Sequence, residues 1–427
     1  MTADQERLIQ PLGPVRAEVT PPGSKSITNR ALLCAAMAAG ASRLLGVLES
    51  EDTHVMVEAL RTLGVKLHWD KNDCVVDVQG CGGNWPVPSA DLYVANSGTT
   101  MRFLTGALST GSGRYRLDGV PRMRERPIGD LLSALRQLGA EVLSETGNDC
   151  PPVIVRGAGW AGGIATIRGD ISSQFLSGLL LAAPYARGPV SIRVSGPLVS
   201  QPYVRMTLRI MQSFGARVQD SSLQQFEIDA PIPYQARTYA IEPDASAASY
   251  FWGAAAISGG AITVRELSRD SLQGDVAFCD CLEQMGCAVQ WESDRITVTG
   301  GGHLRGITVD MNAISDTVQT LAAVALFAEG PTTITGVAHI RHKETDRIGD
   351  LARELRKLGA TVDELADGLR ITPGPLHAAR VETYQDHRMA MSLALVGLRV
   401  PGLTIVNPQC TQKTYPHFFE DLEALGS

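Results

Sequence analysis

Two series of glycines divide the chain into six repeats of similar length. In the first series, a helical pattern ends in a hydrophobic residue and a glycine, followed by a β-like run, as at residues 59–65 and 134–140. In the second, an Ala- and Leu-rich helical stretch ends at a glycine that precedes a β-branched run. Successive members of either series are 67 to 77 residues apart, which indicates that one supersecondary unit recurs. The first series is Gly64, Gly139, Gly215, Gly286, Gly359 and Gly426, and the second is Gly40, Gly111, Gly188, Gly260, Gly330 and Gly402.

Each repeat is predicted to run strand–helix–strand–helix–strand. The glycines of the second series are expected at left-handed positions just after a helix. A single hydrophobic core usually stops growing at about 250–300 residues, so a chain of 427 residues predicts two similar α/β domains of three repeats each. The period is longer than that of a simple solenoid, which favours a pseudo-threefold domain.

Composition argues against several classes of protein. The formal net charge is −7, whereas a broad nucleic-acid-binding surface is basic. The eight cysteines are scattered without a Cys-x-x-Cys pair, so we expect no metal site and reduced thiols, as in the cytoplasm. The N-terminus from Met1 to Glu6 is acidic and polar, unlike a signal or transit peptide. No apolar run reaches the ~18 residues that a membrane span needs. We therefore expect a cytoplasmic protein that binds neither nucleic acid nor membranes.

Six loops are predicted to lie just before the Ala-rich helices, and they collect the residue types that cap helices. Capping leaves the cations in these loops unexplained, because the positive end of the helix dipole disfavours a neighbouring positive charge. An anion bound between the cations accounts for them, and Gly23 and Gly98 would let the backbone approach it closely. The cations are Lys25, Arg30, Arg102 and Arg388.

Loops after the strands carry many of the remaining cations of this acidic chain. They predict a cleft that binds small phosphates and carboxylates, with arginine as a bidentate clamp. Asp316 and Glu344 are carboxylates placed among these cations, and cationic neighbours keep a carboxylate ionised as a base. The loops comprise residues 121–127, 198–203, 339–347 and 409–415.

In order and spacing, seven segments resemble the motifs of the 5-enolpyruvylshikimate-3-phosphate synthase family of enolpyruvyl transferases. The resemblance covers essentially the whole chain, and seven motifs in register are far more specific than any one. It implies an α/β protein with a two-domain inverse α/β barrel-like fold of six βαβαββ repeats, three per domain. Residues 21–240 would form the N-terminal domain and residues 1–20 plus 241–427 the C-terminal domain, with the active site in the cleft between them. The segments are residues 22–30, 96–102, 121–127, 172–174, 343–347, 386–388 and 410–414.

The resemblance also implies site residues. Lys25, Asp316 and Glu344 would move protons, and the serines together with Lys343 would hold the phosphate of shikimate 3-phosphate. That substrate is expected at Lys25, Ser26, Arg30, Ser172, Ser173, Gln174, Ser200, Tyr203, Asp316, His339 and Lys343. Phosphoenolpyruvate is expected at Lys25, Gly98, Arg122, Gln174, Arg347, Arg388 and Lys413.

The implied reaction joins the 5-hydroxyl of shikimate 3-phosphate to C2 of phosphoenolpyruvate while an acid protonates C3. The resulting tetrahedral ketal then loses a methyl proton and phosphate. These opposed proton transfers need paired acid and base groups, and the charges of the reactants need fixed cations. We expect no metal and no organic cofactor, a monomer, domain closure on binding, and inhibition by glyphosate in competition with phosphoenolpyruvate.

Four residues depart from the family pattern. Ala95 replaces a glycine, Phe103 stands where many members have proline, Arg205 stands where an acid is common, and His339 stands where asparagine is common. Phe103 bears on the response to glyphosate, and His339 on one contact with shikimate 3-phosphate.

The alternative functions are a sister enzyme and a non-catalytic binding protein. The sister enzyme that transfers enolpyruvyl to UDP-N-acetylglucosamine uses a cysteine in its mobile loop, whereas residues 121–127 contain none. A non-catalytic protein that binds phosphorylated metabolites would not need the acid–base set of Lys25, Asp316 and Glu344. Both alternatives are therefore less favoured than the synthase.

Overall fold

The computed structural model describes residues 6–426, and the chain divides into two compact units. The N-terminal unit is Gly23–Ile241. The C-terminal unit consists of the described residues up to Pro22 together with those from Glu242 onward. Residues 1–5 and Ser427, which the sequence assigned to the C-terminal domain, lie outside the described residues. Within the described part of the chain, no helix is long and apolar enough to cross a membrane.

The secondary structure alternates strands and helices along the chain. The helices are α1 (Lys25–Met37), α2 (Glu51–Thr62), α3 (Gly98–Thr110), α4 (Gly129–Gln137), α5 (Ser173–Ala182), α6 (Gln201–Ser213), α7 (Ala245–Ser258), α8 (Phe278–Gln284), α9 (Val318–Ala325), α10 (Gly349–Lys357), α11 (His387–Gly397) and α12 (Phe418–Ala424). The strands are β1 (Glu6–Leu8), β2 (Arg16–Val19), β3 (Ala39–Leu45), β4 (Lys66–Asp70), β5 (Val75–Cys81), β6 (Ser89–Tyr93), β7 (Ser112–Asp118), β8 (Glu141–Ser144), β9 (Val153–Ala158), β10 (Gly163–Arg168), β11 (Val190–Ser195), β12 (Val218–Ser221), β13 (Gln225–Ile228), β14 (Thr238–Ala240), β15 (Ala261–Arg265), β16 (Ala288–Trp291), β17 (Arg295–Thr299), β18 (Leu304–Arg305), β19 (Thr308–Asp310), β20 (Ala328–Glu329), β21 (Thr332–Thr335), β22 (Thr361–Leu365), β23 (Gly368–Thr372), β24 (Arg380–Val381) and β25 (Thr404–Val406).

The N-terminal unit contains three four-stranded sheets of one topology. Their strand orders are β14-β3-β5-β4, β6-β7-β9-β8 and β10-β11-β13-β12. In each sheet the first two strands are parallel and the other pairs are antiparallel. A parallel pair needs a crossover connection, which α3 and α5 supply, so the chain order is βαβαββ, as predicted. The first repeat instead takes its parallel strand from β14, at the far end of the unit.

The C-terminal unit repeats this topology. Two four-stranded sheets have the orders β2-β15-β17-β16 and β19-β21-β23-β22. A third sheet, β1-β25-β24, has three strands, and β18 pairs with β20 alone. Strands β1 and β2 come from the start of the chain, so the unit is completed by residues that precede the whole N-terminal unit.

In each repeat one helix is buried and one is amphipathic. All fourteen residues of α7 are buried, and eleven of the thirteen in α1. In contrast, α10 buries only Leu351, Ala352, Glu354 and Leu355. Helices that are apolar all round belong in an interior, so α1, α3, α5, α7, α9 and α11 form the cores. The sheets lie outside them, which is the inverse α/β arrangement that the family resemblance implied.

Small residues let the buried helices approach closely. A Cβ on Gly106 of α3 would lie 2.4 Å from the backbone oxygen of Gly178 in α5, so the two helices touch through their backbones. In the C-terminal unit, hydroxyl groups of Ser249, Thr320 and Ser392 join α7, α9 and α11 by hydrogen bonds of 3.0 and 3.2 Å. These contacts satisfy the polar atoms that a helical core would otherwise leave unpaired.

The left-handed conformation predicted for the second glycine series holds at Gly40, Gly330 and Gly402. It is wrong at Gly111, Gly188 and Gly260. Gly111 is extended, and a Cβ there would lie 3.0 Å from the Trp85 ring. Gly111 and Gly260 serve close approach rather than a positive φ, since a Cβ on Gly260 would lie 1.9 Å from the Val15 oxygen. After α7 the left-handed residue is Gly259, one position earlier.

The burial of α7 can be tested by its effect on stability. Trp252 has no exposed surface, and its Nε1 donates to the Ile296 oxygen at 3.3 Å. Trp252→Ala should lower the free energy of unfolding by about 3–5 kcal/mol through lost burial and a cavity, measured by urea denaturation. Leu8→Ala, at a side chain that is 50% exposed, should change it by less than about 0.5 kcal/mol. Equal losses in the two variants would contradict the assignment of α7 to the core.

Candidate active site

Three buried helices of the N-terminal unit begin with serine caps. Ser24, Ser97 and Ser172 each accept a hydrogen bond from a backbone N–H in the first turn of α1, α3 or α5. Lys25 and Gly98 are the first residues of α1 and α3, and Ser173 and Gln174 are the first two of α5. Five predicted site residues, Lys25, Gly98, Ser172, Ser173 and Gln174, therefore lie at or next to helix starts, where backbone N–H groups attract anions.

Side-chain contacts hold these helix starts side by side. Asn29 in α1 donates to Thr99 in α3 at 2.7 Å. A Cβ built on Gly98 would lie 2.9 Å from Oε1 of Gln174, so the first turns of α3 and α5 meet. The N-terminal unit thus brings Lys25, Gly98 and the Ser172–Gln174 cap into one region.

Arg30 is nearly fully buried and bonds to four neighbours. Its guanidinium donates to the Thr207 hydroxyl at 2.7 Å, the Ser26 carbonyl at 2.8 Å, the Tyr203 carbonyl at 3.3 Å and the Ser177 hydroxyl at 3.4 Å. Burial lowers the pKa of Arg30 to about 10, which leaves it charged at neutral pH. In this structure Arg30 ties α1 to α5 and α6, and its predicted contact with substrate stays a prediction.

Lys25 pairs with a buried carboxylate that the sequence reading did not assign. Its Nζ lies 3.4 Å from Oδ2 of Asp52, near the start of α2, and both side chains are largely buried. The ion pair therefore holds the Lys25 side chain in a fixed position at the start of α1.

Three further predicted residues lie in the N-terminal unit. Ser200 is buried and left-handed (φ 52°) at the start of α6, and Tyr203 follows in its first turn. Arg122 lies in the 3₁₀ turn Pro121–Glu125 and pairs with Glu125 at 2.9 Å.

In the C-terminal unit, one carboxylate gathers three cations. Oδ1 of Asp316 lies 3.3 Å from Nζ of Lys343 and 3.2 Å from Nη1 of Arg347, and Oδ2 lies 2.8 Å from Nη2 of Arg388. These residues come from the 3₁₀ turn Asn312–Thr317, the loop before α10, and the start of α11. The structure thus brings together four predicted site residues.

Arg347 links that carboxylate to two others. Its guanidinium reaches Glu344 at 2.9 Å and Asp386 at 2.7 Å, and the side chain is 1% exposed. Burial alone disfavours the charge, but Asp386, Glu344 and Asp316 together raise the pKa of Arg347 above its usual value. Arg347 therefore stays positive and fixes the position of Glu344.

Lys343 and His339 lie beside Asp316. Burial lowers the pKa of Lys343, and the charge of Asp316 opposes this shift. Burial, with the nearby charge of Lys343, lowers the pKa of His339 to about 3. His339 is therefore neutral at physiological pH and offers a neutral hydrogen-bonding ring rather than a cation.

A further predicted cation, Lys413, lies in the C-terminal unit. It is buried at the end of the 3₁₀ turn Pro408–Lys413, which packs against α11. Within residues 6–426, no group of three or more His, Cys, Asp or Glu side chains could hold a metal ion.

Comparisons with known proteins agree on one family. The model of the EPSP synthase family (3-phosphoshikimate 1-carboxyvinyltransferase) matches residues 9–422. The chain belongs to the EPSP synthase family. It is 49% identical to the 3-phosphoshikimate 1-carboxyvinyltransferase of Nostoc punctiforme over 95% of both chains. It is 47% identical to the chloroplastic enzyme of Solanum lycopersicum, covering 98% of this chain and 84% of that one.

A solved EPSP synthase also has this fold. The EPSP synthase of Acinetobacter baumannii superposes with a TM-score of 0.84 at 28% identity and covers 99% of this chain and 98% of its own. The family resemblance drawn from the seven motifs is thereby confirmed.

For this EPSP synthase family member, sequence reasoning missed the partners of its cations. Asp52 and Asp386 were not assigned, although each lies at the start of a helix, where an acid is usually ascribed to capping alone. Asp386 does cap α11, accepting from the Arg388 N–H at 2.8 Å, and it also binds Arg347. The sequence signal that could have identified Asp386 was its position two residues before Arg388, a cation that helix capping does not explain.

His339 makes stability depend on pH. Its folded pKa lies below its usual value of about 6.5, so the unfolded chain takes up a proton that the folded chain refuses. Stability should therefore fall as pH drops below about 6.5 towards 3. Between pH 7 and pH 5, His339→Asn should lose about 2 kcal/mol less unfolding free energy than the parent protein, as measured by urea denaturation.

The same two proteins provide the control at higher pH. Between about pH 7.5 and 8.5 the histidine is neutral in both states, so the two stability curves should run parallel. Identical curves at every pH would contradict the burial of a neutral His339.

Proposed function

We propose that this chain transfers the enolpyruvyl group of phosphoenolpyruvate to the 5-hydroxyl of shikimate 3-phosphate and releases phosphate. The observation that carries the proposal is the cluster around Asp316, in which Lys343, Arg347 and Arg388 surround one carboxylate and Glu344 stands beside Arg347. Such a cluster holds several fixed cations for anionic reactants and two carboxylates able to take protons.

Membership of the EPSP synthase family fixes the class of reaction. The family description is that of a 3-phosphoshikimate 1-carboxyvinyltransferase, and its model spans residues 9–422. Curated relatives with this activity in their names share 45–49% identity over at least 95% of this chain. The chain is an enzyme of this class, and the family implies phosphoenolpyruvate and shikimate 3-phosphate as its substrates.

In the proposal, the helix starts of the N-terminal unit receive the phosphate of shikimate 3-phosphate. Ser26, Ser172, Ser173 and Ser200 lie at the beginnings of α1, α5 and α6. Serine hydroxyls and free backbone N–H groups are donors suited to phosphate oxygens. Lys343 would complete this phosphate site, and Gln174, Tyr203, Asp316 and His339 would hold the ring.

Cations from both units are proposed to hold phosphoenolpyruvate. Arginine matches the geometry of phosphate and carboxylate groups bidentately. Because Arg347 and Arg388 share Asp316, an anionic ligand there competes with that carboxylate for the same donors. The set is Lys25, Gly98, Arg122, Gln174, Arg347, Arg388 and Lys413.

The chemistry requires two proton transfers in opposite directions. As the 5-hydroxyl attacks C2, its proton passes to a base and an acid places a proton on C3. In the second step a base removes a proton from the new methyl group, the bond between C2 and the phosphate oxygen breaks, and phosphate leaves. We assign these transfers to Lys25, Asp316 and Glu344, because opposed proton transfers need paired acid and base groups at the reacting atoms.

The N-terminal unit carries the serine-rich helix starts, and the C-terminal unit carries Asp316, Glu344 and their cations. The proposed reaction uses residues of both sets. The active-site cleft and the domain closure on binding stay predictions of the family resemblance. The monomeric state and the cytoplasmic location stay predictions.

Phosphate release tests the function directly. Purified protein should release phosphate only when shikimate 3-phosphate and phosphoenolpyruvate are both present. Replacing shikimate 3-phosphate by UDP-N-acetylglucosamine should abolish release, which separates the sister enzyme. A protein that binds both substrates without releasing phosphate would instead be the non-catalytic alternative.

Glu344 provides a test of the proton transfers. Glu344→Gln keeps the size of the side chain but removes its charge and the base, so turnover should fall by about 100-fold or more. Calorimetric binding of shikimate 3-phosphate should change little. Glu329→Gln, at an exposed carboxylate paired with His303, is the control and should keep full turnover. Lost binding with unchanged turnover of the bound complex would remove Glu344 from the acid–base set.

A further inference from the structure

Arg126 is a buried arginine outside the predicted site residues. It follows the 3₁₀ turn Pro121–Glu125, and its backbone N–H donates to the Met123 oxygen at 3.2 Å. The residue is 4% exposed. The neighbouring Arg124 is exposed and pairs with Asp118, so the two arginines of one loop have opposite environments.

One side of the Arg126 guanidinium is anchored to the loop before α3. Its Nη1 donates to the backbone oxygen of Asn96 at 2.9 Å and to Oδ1 of the same residue at 3.0 Å. Both bonds fix the plane and direction of the group. The other side is therefore presented in a defined direction rather than left to move freely.

The other side points to the first turn of α3. A Cβ built on Gly98 would lie 2.7 Å from Nη2 of Arg126, 2.9 Å from Oε1 of Gln174 and 3.2 Å from Nη1 of Arg102. Gly98 and Gln174 are residues at which phosphoenolpyruvate is proposed to bind. Nη2 thus lies beside that same location.

The described chain gives this guanidinium no counter-charge. No carboxylate of residues 6–426 lies within 4.0 Å of it, its Nε is buried without a hydrogen-bond partner, and Nη2 has no acceptor in that part of the chain. A buried charge without a partner is costly, and the start of α3 adds further positive potential. An anion placed at this point would remove both penalties.

We propose that Arg126 binds phosphoenolpyruvate, donating from Nη2 to one of its anionic oxygens at the first turn of α3. The assignment rests on the proposed function and adds a residue to its phosphoenolpyruvate site. Shikimate 3-phosphate is the less suitable ligand for this group, because the serines proposed for its phosphate lie at the starts of α1, α5 and α6.

The test compares Arg126→Gln with the parent protein. Glutamine retains an amide that can donate to Asn96, but it has no charge and no second nitrogen to replace Nη2. Loss of a hydrogen bond between charged groups should raise the KM for phosphoenolpyruvate at least about tenfold. The KM for shikimate 3-phosphate should change less than about threefold. Arg126→Lys, which keeps the charge, should give an intermediate KM for phosphoenolpyruvate.

Arg124→Gln is the matched control from the same loop and should leave both KM values unchanged. Thermal melting of each variant shows whether it is folded. An unchanged KM for phosphoenolpyruvate in folded Arg126→Gln would overturn the proposal, as would equal increases in both KM values with a lower melting temperature. If Arg126→Gln does not fold, an unchanged KM in Arg126→Lys would overturn it instead.

The proposed function and the Arg126 assignment fail in different ways. A parent protein that releases no phosphate from the two substrates removes the function itself. A parent protein that releases phosphate normally, with an Arg126→Gln variant of equal KM for phosphoenolpyruvate, removes only the role of Arg126.

Discussion

A fully buried helix has only its ends available for polar chemistry, and this constraint organises both units. The sides of α1, α3, α5, α7, α9 and α11 are covered by other helices and by sheets, so polar side chains on them must be paired internally or sit in the first turn. Contacts near the helix starts, such as Asn29 with Thr99 and Asp316 with Arg388, bring several of these starts together within each unit. Capping serines, cations and carboxylates accumulate there.

The two units differ in the polar groups that they hold at their helix starts. The helix starts of the N-terminal unit are rich in hydroxyl groups and free backbone N–H groups, which suit a phosphate. The C-terminal unit holds a denser set of charges, in which Asp316 and Asp386 balance Arg347 and Arg388. Buried ion pairs of this kind add little stability overall but lose much when one member is removed. Their benefit is position, because each cation is held in place before a ligand arrives.

The repeat and the helix starts were predictable because both depend on local sequence. The glycine spacing revealed six units, and the residues before each buried helix marked where charge would collect. The partners of those charges were not predictable in the same way. Lys25 and Asp52, or Arg347 and Asp386, are far apart in sequence and meet only through packing. Gly111 and Gly260 were assigned a left-handed backbone, whereas they serve close contacts with Trp85 and Val15, which only the folded structure reveals.

The strand exchange at the edges of the sheets has a consequence for biosynthesis. Strand β14 completes the first sheet of the N-terminal unit, and β1 and β2 complete two sheets of the C-terminal unit. During synthesis, β1 and β2 therefore stay unpaired until partner strands more than two hundred residues later have been made. Such distant pairing slows folding. The segment inserted between β2 and α7 forms a compact unit of its own, and its two flanks are joined where the Asp244 N–H donates to the Pro22 oxygen at 2.8 Å.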